Sequence, residues 1–395
     1  MTRSFTQTAD LRRVGLLTFL LTVPSLYLVE IRLGDRAIPL QVAFVAAAVW
    51  LWQTPTVARL ATALGERRAR WLALLTLLVL TAAFAVIYPL ANSGRFGAGT
   101  DSDEALNQAT RALLHGRYPY LERTYLGNEI TPMPGSLFLA IPFVLLGNGV
   151  YQSFFWMAAG VYLLWVFWDR QTARTLSFVW LVLGTCPAIL HQFVTGGDYV
   201  ANALMILVPA VLLVREGSSE LASQIALAVC LGVALSSRAN FILLTPLILS
   251  RLWQVRGRNK ALALSATMLA ATVLVTVPFF LANPAGFSPA HTRTKLTEMK
   301  AILPHADLLL PLAAAALALV LARPRWNQNT AAFLRNATLV QACLILPAVV
   351  LWPAVRKGPP LFYSIFAQFI LFFGLAAVIT WKPQNEQSRS PARHP

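Results

Sequence analysis

Apolar residues in this chain come in long runs, not in alternation. Predominantly apolar stretches lie near 14–31, 37–53, 71–91, 150–168, 174–194, 198–214, 221–236, 239–253, 261–282, 305–322, 332–351 and 361–381, with short polar segments between them. Runs of about 17 residues or more predict spanning helices. A thirteenth run, 132–146, is shorter and contains Pro132, Pro134, Gly135 and Pro142. It is too short for roughly 30 Å of hydrocarbon, so it reads as a re-entrant or interfacial segment. The pattern therefore predicts an all-α polytopic membrane protein with about twelve transmembrane helices.

One polar stretch has helical periodicity of its own. In "TDSDEALNQATRALLHGRYPY", Thr100 to Tyr120, the residues Ala105, Leu106, Ala109, Ala112 and Leu113 recur at helical spacing, and Gly116 is a stop signal. This predicts a short amphipathic helix from about 102 to 115, lying on the membrane with Leu106 and Leu113 down.

Composition agrees with a membrane reading. The 395 residues are 57% hydrophobic and 12% charged, with a mean hydropathy of +0.61, whereas about 25% charge is usual in soluble domains. The net charge of +16 invites a nucleic-acid reading. The Lys and Arg residues lie in short loops between apolar runs, however, which is how a membrane protein encodes orientation. If 132–146 does not cross, the inner segments hold 20 Lys and Arg against 6 acids, and the outer ones 12 against 10. That asymmetry puts both termini in the cytoplasm, with a bacterial plasma membrane as the expected location. It also makes 92–149 one long outer loop. Arg3, Arg12 and Arg13 precede the run 14–29, but no small-x-small cleavage site follows, so an uncleaved first span is expected.

The expected organisation is two extra N-terminal helices in 1–70, a core of 71–260 that includes the outer loop 92–149, further helices in 261–381, and a disordered cytoplasmic tail, 382–395. The longest inner loop, 54–70, is too short for a nucleotide-binding fold and no G-x-x-x-x-G-K-[ST] pattern occurs, so no nucleotide cofactor is expected. Cys186, Cys230 and Cys343 lie inside apolar runs and read as core packing. His115, His191, His291 and His305 have no zinc spacing.

Candidate chemistry concentrates at Asp101, Asp103 and Glu104. Acids in a first helical turn complement the macrodipole, and Thr100-x-x-Asp103 fits a capping box. Three acids beside a membrane exceed what capping needs. "TDSDEALNQATRALLHGRYPY…ITPMPGSLFLAIPFVLLG" resembles the first outer loop of the GT-C class of glycosyltransferases, and within it the polyprenyl-phosphate-mannose transferases. The elements that carry the resemblance are Asp101 and Asp103, Gly116-Arg117-Tyr118-Pro119-Tyr120, and Thr131-Pro132.

The resemblance implies transfer of a sugar, mannose or similar, from a polyprenyl-phosphate donor to a lipid or glycan acceptor on the non-cytoplasmic face of the bilayer. Phosphate is a stable leaving group, so one carboxylate base suffices and the reaction inverts the anomeric carbon. Asp101 or Asp103 is the expected base, with Asp101 favoured because Asp103 and Glu104 fit the first helical turn. Arg238, in "ALSSRANFILL", and Arg356 with Lys357 are candidates for the leaving phosphate. For Arg238 an interfacial anchor is the competing reading. Glu104, Arg117, Tyr118 and Tyr120 are candidate substrate contacts, the tyrosines as stacking surfaces beside Pro119. Hard oxygen ligands suit Mg or Mn, so Asp101, Asp103 and Asp198 are the candidate ligands if a metal is used. Asp198 also reads as the cap of the next helix. The rival classes are a lipid or glycan transporter or flippase, for which midplane charges and internal repeats are lacking, and a glycan polymerase or ligase.

Overall fold

The computed structural model describes residues 11–54, 59–60, 63–93, 100–184, 186–215, 220–355 and 361–380. Secondary structure among them is helical, apart from a single Arg123–Glu129 bridge. Five helical segments are long and apolar enough to cross a membrane: Arg13–Leu33, Glu66–Ala91, Gly149–Val166, Arg258–Ala282 and Thr330–Pro353. A sixth is reached if Arg170–Leu183 and Pro187–Thr195, which meet at 74°, count as one span.

The described residues thus hold five or six candidate spans, not twelve. This overturns the twelve-span GT-C-like fold. It also overturns the many-span membrane transferase, its plasma-membrane placement and the cytoplasmic position of both ends, all of which rest on that count. The physical reason is length and burial. Ala37–Gln53, Pro134–Leu145, Tyr199–Val214, Leu221–Leu235, Ala306–Leu321 and Tyr363–Val378 are apolar helices of 10 to 17 residues, and at 1.5 Å per residue they reach only about 15–25 Å. An all-round apolar helix is equally what a protein core requires. Tyr199–Val214 is that case: from Val200 to Val214 every residue except Leu212 is buried. The tail 382–395 lies outside the described residues.

Tyr199–Val214 packs against Gln152–Phe167, Leu221–Leu235, Thr245–Arg256 and Gln368–Thr380. The main core runs from Val14 to Ala377, so the N-terminal helices share it with the C-terminal ones. By contrast, Glu66–Ala91 and Arg258–Ala282 turn apolar side chains outward, among them Leu74, Leu78, Val86, Val273, Leu274 and Leu281. Two buried polar side chains in this part of the fold are tied to backbone: Arg251 donates to the Gln328 carbonyl at 2.6 Å, and Asn327 to the Leu247 carbonyl at 2.8 Å.

A second, smaller core supports the segment 100–145. The predicted amphipathic helix is present as Ser102–Leu114, and Gly116, at φ +68°, ends it. Its apolar face does not lie on a membrane surface. Leu106 is buried with Leu137, Ala140 and Val144 of the Pro134–Leu145 helix, and Phe287 closes the cluster. Pro134 and Gly135 open that helix against Leu221–Leu235, where the Gly135 N–H donates to the Ser236 carbonyl at 3.0 Å. A Cβ on Gly135 would fall 1.9 Å from the Val233 carbonyl oxygen, so only glycine permits this approach.

Candidate functional site

A cavity of about 890 Å³ opens where the start of the Ser102–Leu114 helix, the loop 123–133, the turn at Arg238 and the segment 288–298 meet. Its charged lining comprises Asp101, Glu129, Glu298 and Asp307 together with Arg123, Arg238, Arg293 and His291. Leu344, Trp352, Tyr363, Phe366 and Phe369 form an apolar and aromatic wall.

Asp101 occupies the cap position of the Ser102–Leu114 helix, yet its side chain makes no capping bond. The Thr100 hydroxyl accepts from the Ser102 N–H instead, at 3.3 Å. Asp101 Oδ2 accepts from the Thr124 hydroxyl at 2.5 Å and from Asn128 Nδ2 at 2.7 Å. Those donors sit on a tight turn built around Gly127, at φ +77°, in which the Thr124 N–H reaches the Asn128 carbonyl. Glu104 fixes the same turn, accepting from the Tyr125 N–H at 2.8 Å and from Gln108 at 2.8 Å.

Asp103 has a different environment. It is buried and accepts hydrogen bonds on Oδ2 from the Tyr88 hydroxyl at 2.5 Å and from Asn92 at 3.5 Å. Burial pushes its carboxyl up to about 6, against the opposing pull of the Tyr88 bond. Tyr88 accepts in turn from Asn148. Gly196, at φ +87°, leaves room for this carboxylate, since a Cβ there would lie 3.0 Å from it. Asp103 does not line the cavity.

Arg238 does line it. Its guanidinium is paired with buried Asp198, reaches the Thr131 hydroxyl at 3.4 Å and lies 5.9 Å over the Tyr199 ring. Asn202 donates to the same Asp198 oxygen at 2.8 Å. Asp198 is the cap residue of Tyr199–Val214, as its sequence position allows, but its side chain makes no capping bond and serves Arg238 instead.

The remaining candidates are placed apart. Arg117 is exposed and faces Glu122 at 3.7 Å. Tyr118 donates to the carbonyls of Phe279 and Asn283 at 3.2 and 3.1 Å. Tyr120 is buried edge-on against Tyr118 and Phe287. Neither tyrosine lines the cavity, because both pack the helix 102–114 assembly onto the end of Arg258–Ala282. Glu104 is likewise absent from the lining, and Arg356 and Lys357 lie outside the described residues. Among the described residues no three His, Cys, Asp or Glu side chains are placed to share a metal ion. Asp103 faces Tyr88 and Asp198 faces Arg238, so the three aspartates do not form one oxygen-ligand set in this geometry.

Sequence reading does not single out Thr124, Asn128, Glu129 or Asp307. Glu129 joins Arg123 at 3.3 Å and His291 at 2.9 Å, linking the loop to the 288–291 turn across the cavity mouth. Arg293 holds Asp307 at 2.7 Å, and this hydrogen bond keeps the Asp307 carboxyl below the usual carboxylate range. A signal was available only in "YLGNE", where Gly and Asn mark a turn. Comparison of the chain with family models, curated proteins and solved structures finds no match. The resemblance of the stretch at about 92–148 to glycosyltransferases rests on the quoted residues alone.

Proposed function

We propose that the cavity is a group-transfer site for a phosphate-activated glycosyl donor, with Asp101 as the base. The observation that carries this reading is the presence of a tethered carboxylate, Asp101, and a partly buried guanidinium, Arg238, on the wall of one cavity. The acceptor hydroxyl gives its proton to Asp101 as its oxygen bonds to the anomeric carbon. The bond from that carbon to the phosphate oxygen breaks, and the phosphate leaves with the electron pair toward Arg238. One base makes this a single inverting displacement.

The aromatic wall from Trp352 to Phe369 supports a donor with an apolar carrier, of which a polyprenyl-phosphate hexose is the natural probe. The reading requires neither twelve spans nor a particular side of a membrane, and no step is routed through a metal. The test is turnover: purified protein incubated with polyprenyl-phosphate hexoses and a hydroxyl acceptor should release free polyprenyl phosphate. Arg238→Gln should lower that release by about 100-fold or more, the scale of losing one positioned donor. No release from any such donor, or full activity in Arg238→Gln, contradicts the reading.

A further inference from the structure

We infer that Asn240 is a specificity-determining residue of this cavity, offering one hydrogen-bond acceptor to a hydroxyl of the sugar ring, a reading that rests on the glycosyl donor proposed above. Asn240 lines the cavity two positions after Arg238, at the start of the 3-10 turn Ala239–Leu244. Phe241 pins that turn, since its side chain is buried and its N–H donates to the Arg238 carbonyl at 3.1 Å.

The orientation of the Asn240 amide follows from its partner. Gln341, on the helix Thr330–Val355, is buried. Its Nε2 donates to the Asn240 backbone carbonyl at 3.1 Å, and a carbonyl only accepts. The other end of the same amide, Gln341 Oε1, is then an acceptor toward Asn240, and it takes the Nδ2 proton at 2.6 Å. A flipped Asn240 would set two oxygens against each other. Oδ1 is therefore the Asn240 atom turned away from Gln341. It has no hydrogen-bond partner among the described residues, and it is not enclosed by protein either. Tethering the turn to the helix uses the Nδ2 side alone and leaves Oδ1 for the contents of the cavity.

An amide oxygen accepts and never donates. It repels the phosphate oxygens that Arg238 attracts, and it binds an O–H. The two residues thus divide the donor between them, with the phosphate at the guanidinium and a ring hydroxyl at the amide. A sugar without that hydroxyl leaves Oδ1 unpaired once the cavity is filled, which is what makes such a contact selective.

The experiment uses the purified full-length protein, a polyprenyl-phosphate hexose, and analogues deoxygenated at one ring position at a time. Binding is measured by calorimetry, and turnover by release of polyprenyl phosphate. In the wild type, deoxygenation at one position should weaken binding by about tenfold or more. In Asn240→Ala the loss at that position should shrink to about twofold or less, with the other positions unchanged. Gln341→Met frees the amide to rotate and should narrow the discrimination at the same position. A wild type for which no single deoxygenation costs more than about twofold overturns the inference without any variant. Equal discrimination in the wild type and Asn240→Ala overturns it too. Discrimination in binding with no release of polyprenyl phosphate sinks the transfer chemistry and keeps the subsite. Release with indiscriminate binding sinks the subsite and keeps the transfer. If no hexose donor binds, both fail.

Discussion

Two aspartates two positions apart have opposite environments. Asp101 meets the cavity and two neutral donors, whereas Asp103 is buried behind it against Tyr88. Residues two apart on a helix face away from each other, and Asp101 precedes the helical turn that contains Asp103. Burial raises the Asp103 carboxyl to about 6 from its ordinary 3.8, which has a definite sign for stability. A raised acid costs nothing below its unfolded value, and the cost grows as pH rises through 3.8 to about 6 and then stays constant. The wild type should therefore lose about 3 kcal/mol relative to Asp103→Asn between pH 3.5 and pH 7. Denaturant unfolding of both proteins across that range measures it, and parallel stability curves would contradict it. The acid cluster was legible in the sequence as an excess of charge beside an apolar run. Its division of labour was not, because Tyr88, Thr124 and Asn128 reach these acids from 15, 23 and 27 residues away.

Local signals placed the site's main helix well. Periodicity and Gly116 predict 102–115, and the helix is Ser102–Leu114. What its apolar face meets was not legible, since a stripe of Leu and Ala suits lipid and protein alike. The face meets Pro134–Leu145, the short Pro-rich run whose length already separated it from the spans. That contact depends on how closely Pro134–Leu145 approaches Leu221–Leu235, and Gly135 sets the distance. Gly135→Ala forces a Cβ into backbone, which cannot rotate away, and should destabilise the fold by about 3 kcal/mol. Thermal unfolding should show a clear fall in the transition midpoint for Gly135→Ala. Gly127→Ala, where a Cβ meets open space, should lower it less, by the cost of the positive φ alone. Equal midpoints for wild type and Gly135→Ala would mean that these two helices do not pack this closely.

At the scale of the molecule, hydropathy found where helices lie but not how many are long enough to cross a membrane. Runs such as Tyr199–Val214 are apolar because they are enclosed by other helices, and no windowed hydropathy separates that from lipid contact. The charge asymmetry inherits the same ambiguity, because its inside and outside assignments alternate with each counted span. The site is less sensitive to that count. It is assembled from the helix start at Asp101, the turn at Arg238 and the segment around His291, three points far apart in the sequence. The central claim is that Asp101 takes the acceptor's proton in this cavity. Asp101→Asn keeps the shape and removes the base, so turnover of a polyprenyl-phosphate hexose should be measured beside donor binding in the wild type and this variant. Turnover should fall by roughly 10²–10⁴-fold while donor affinity changes little; turnover by Asp101→Asn at the wild-type rate would contradict the account.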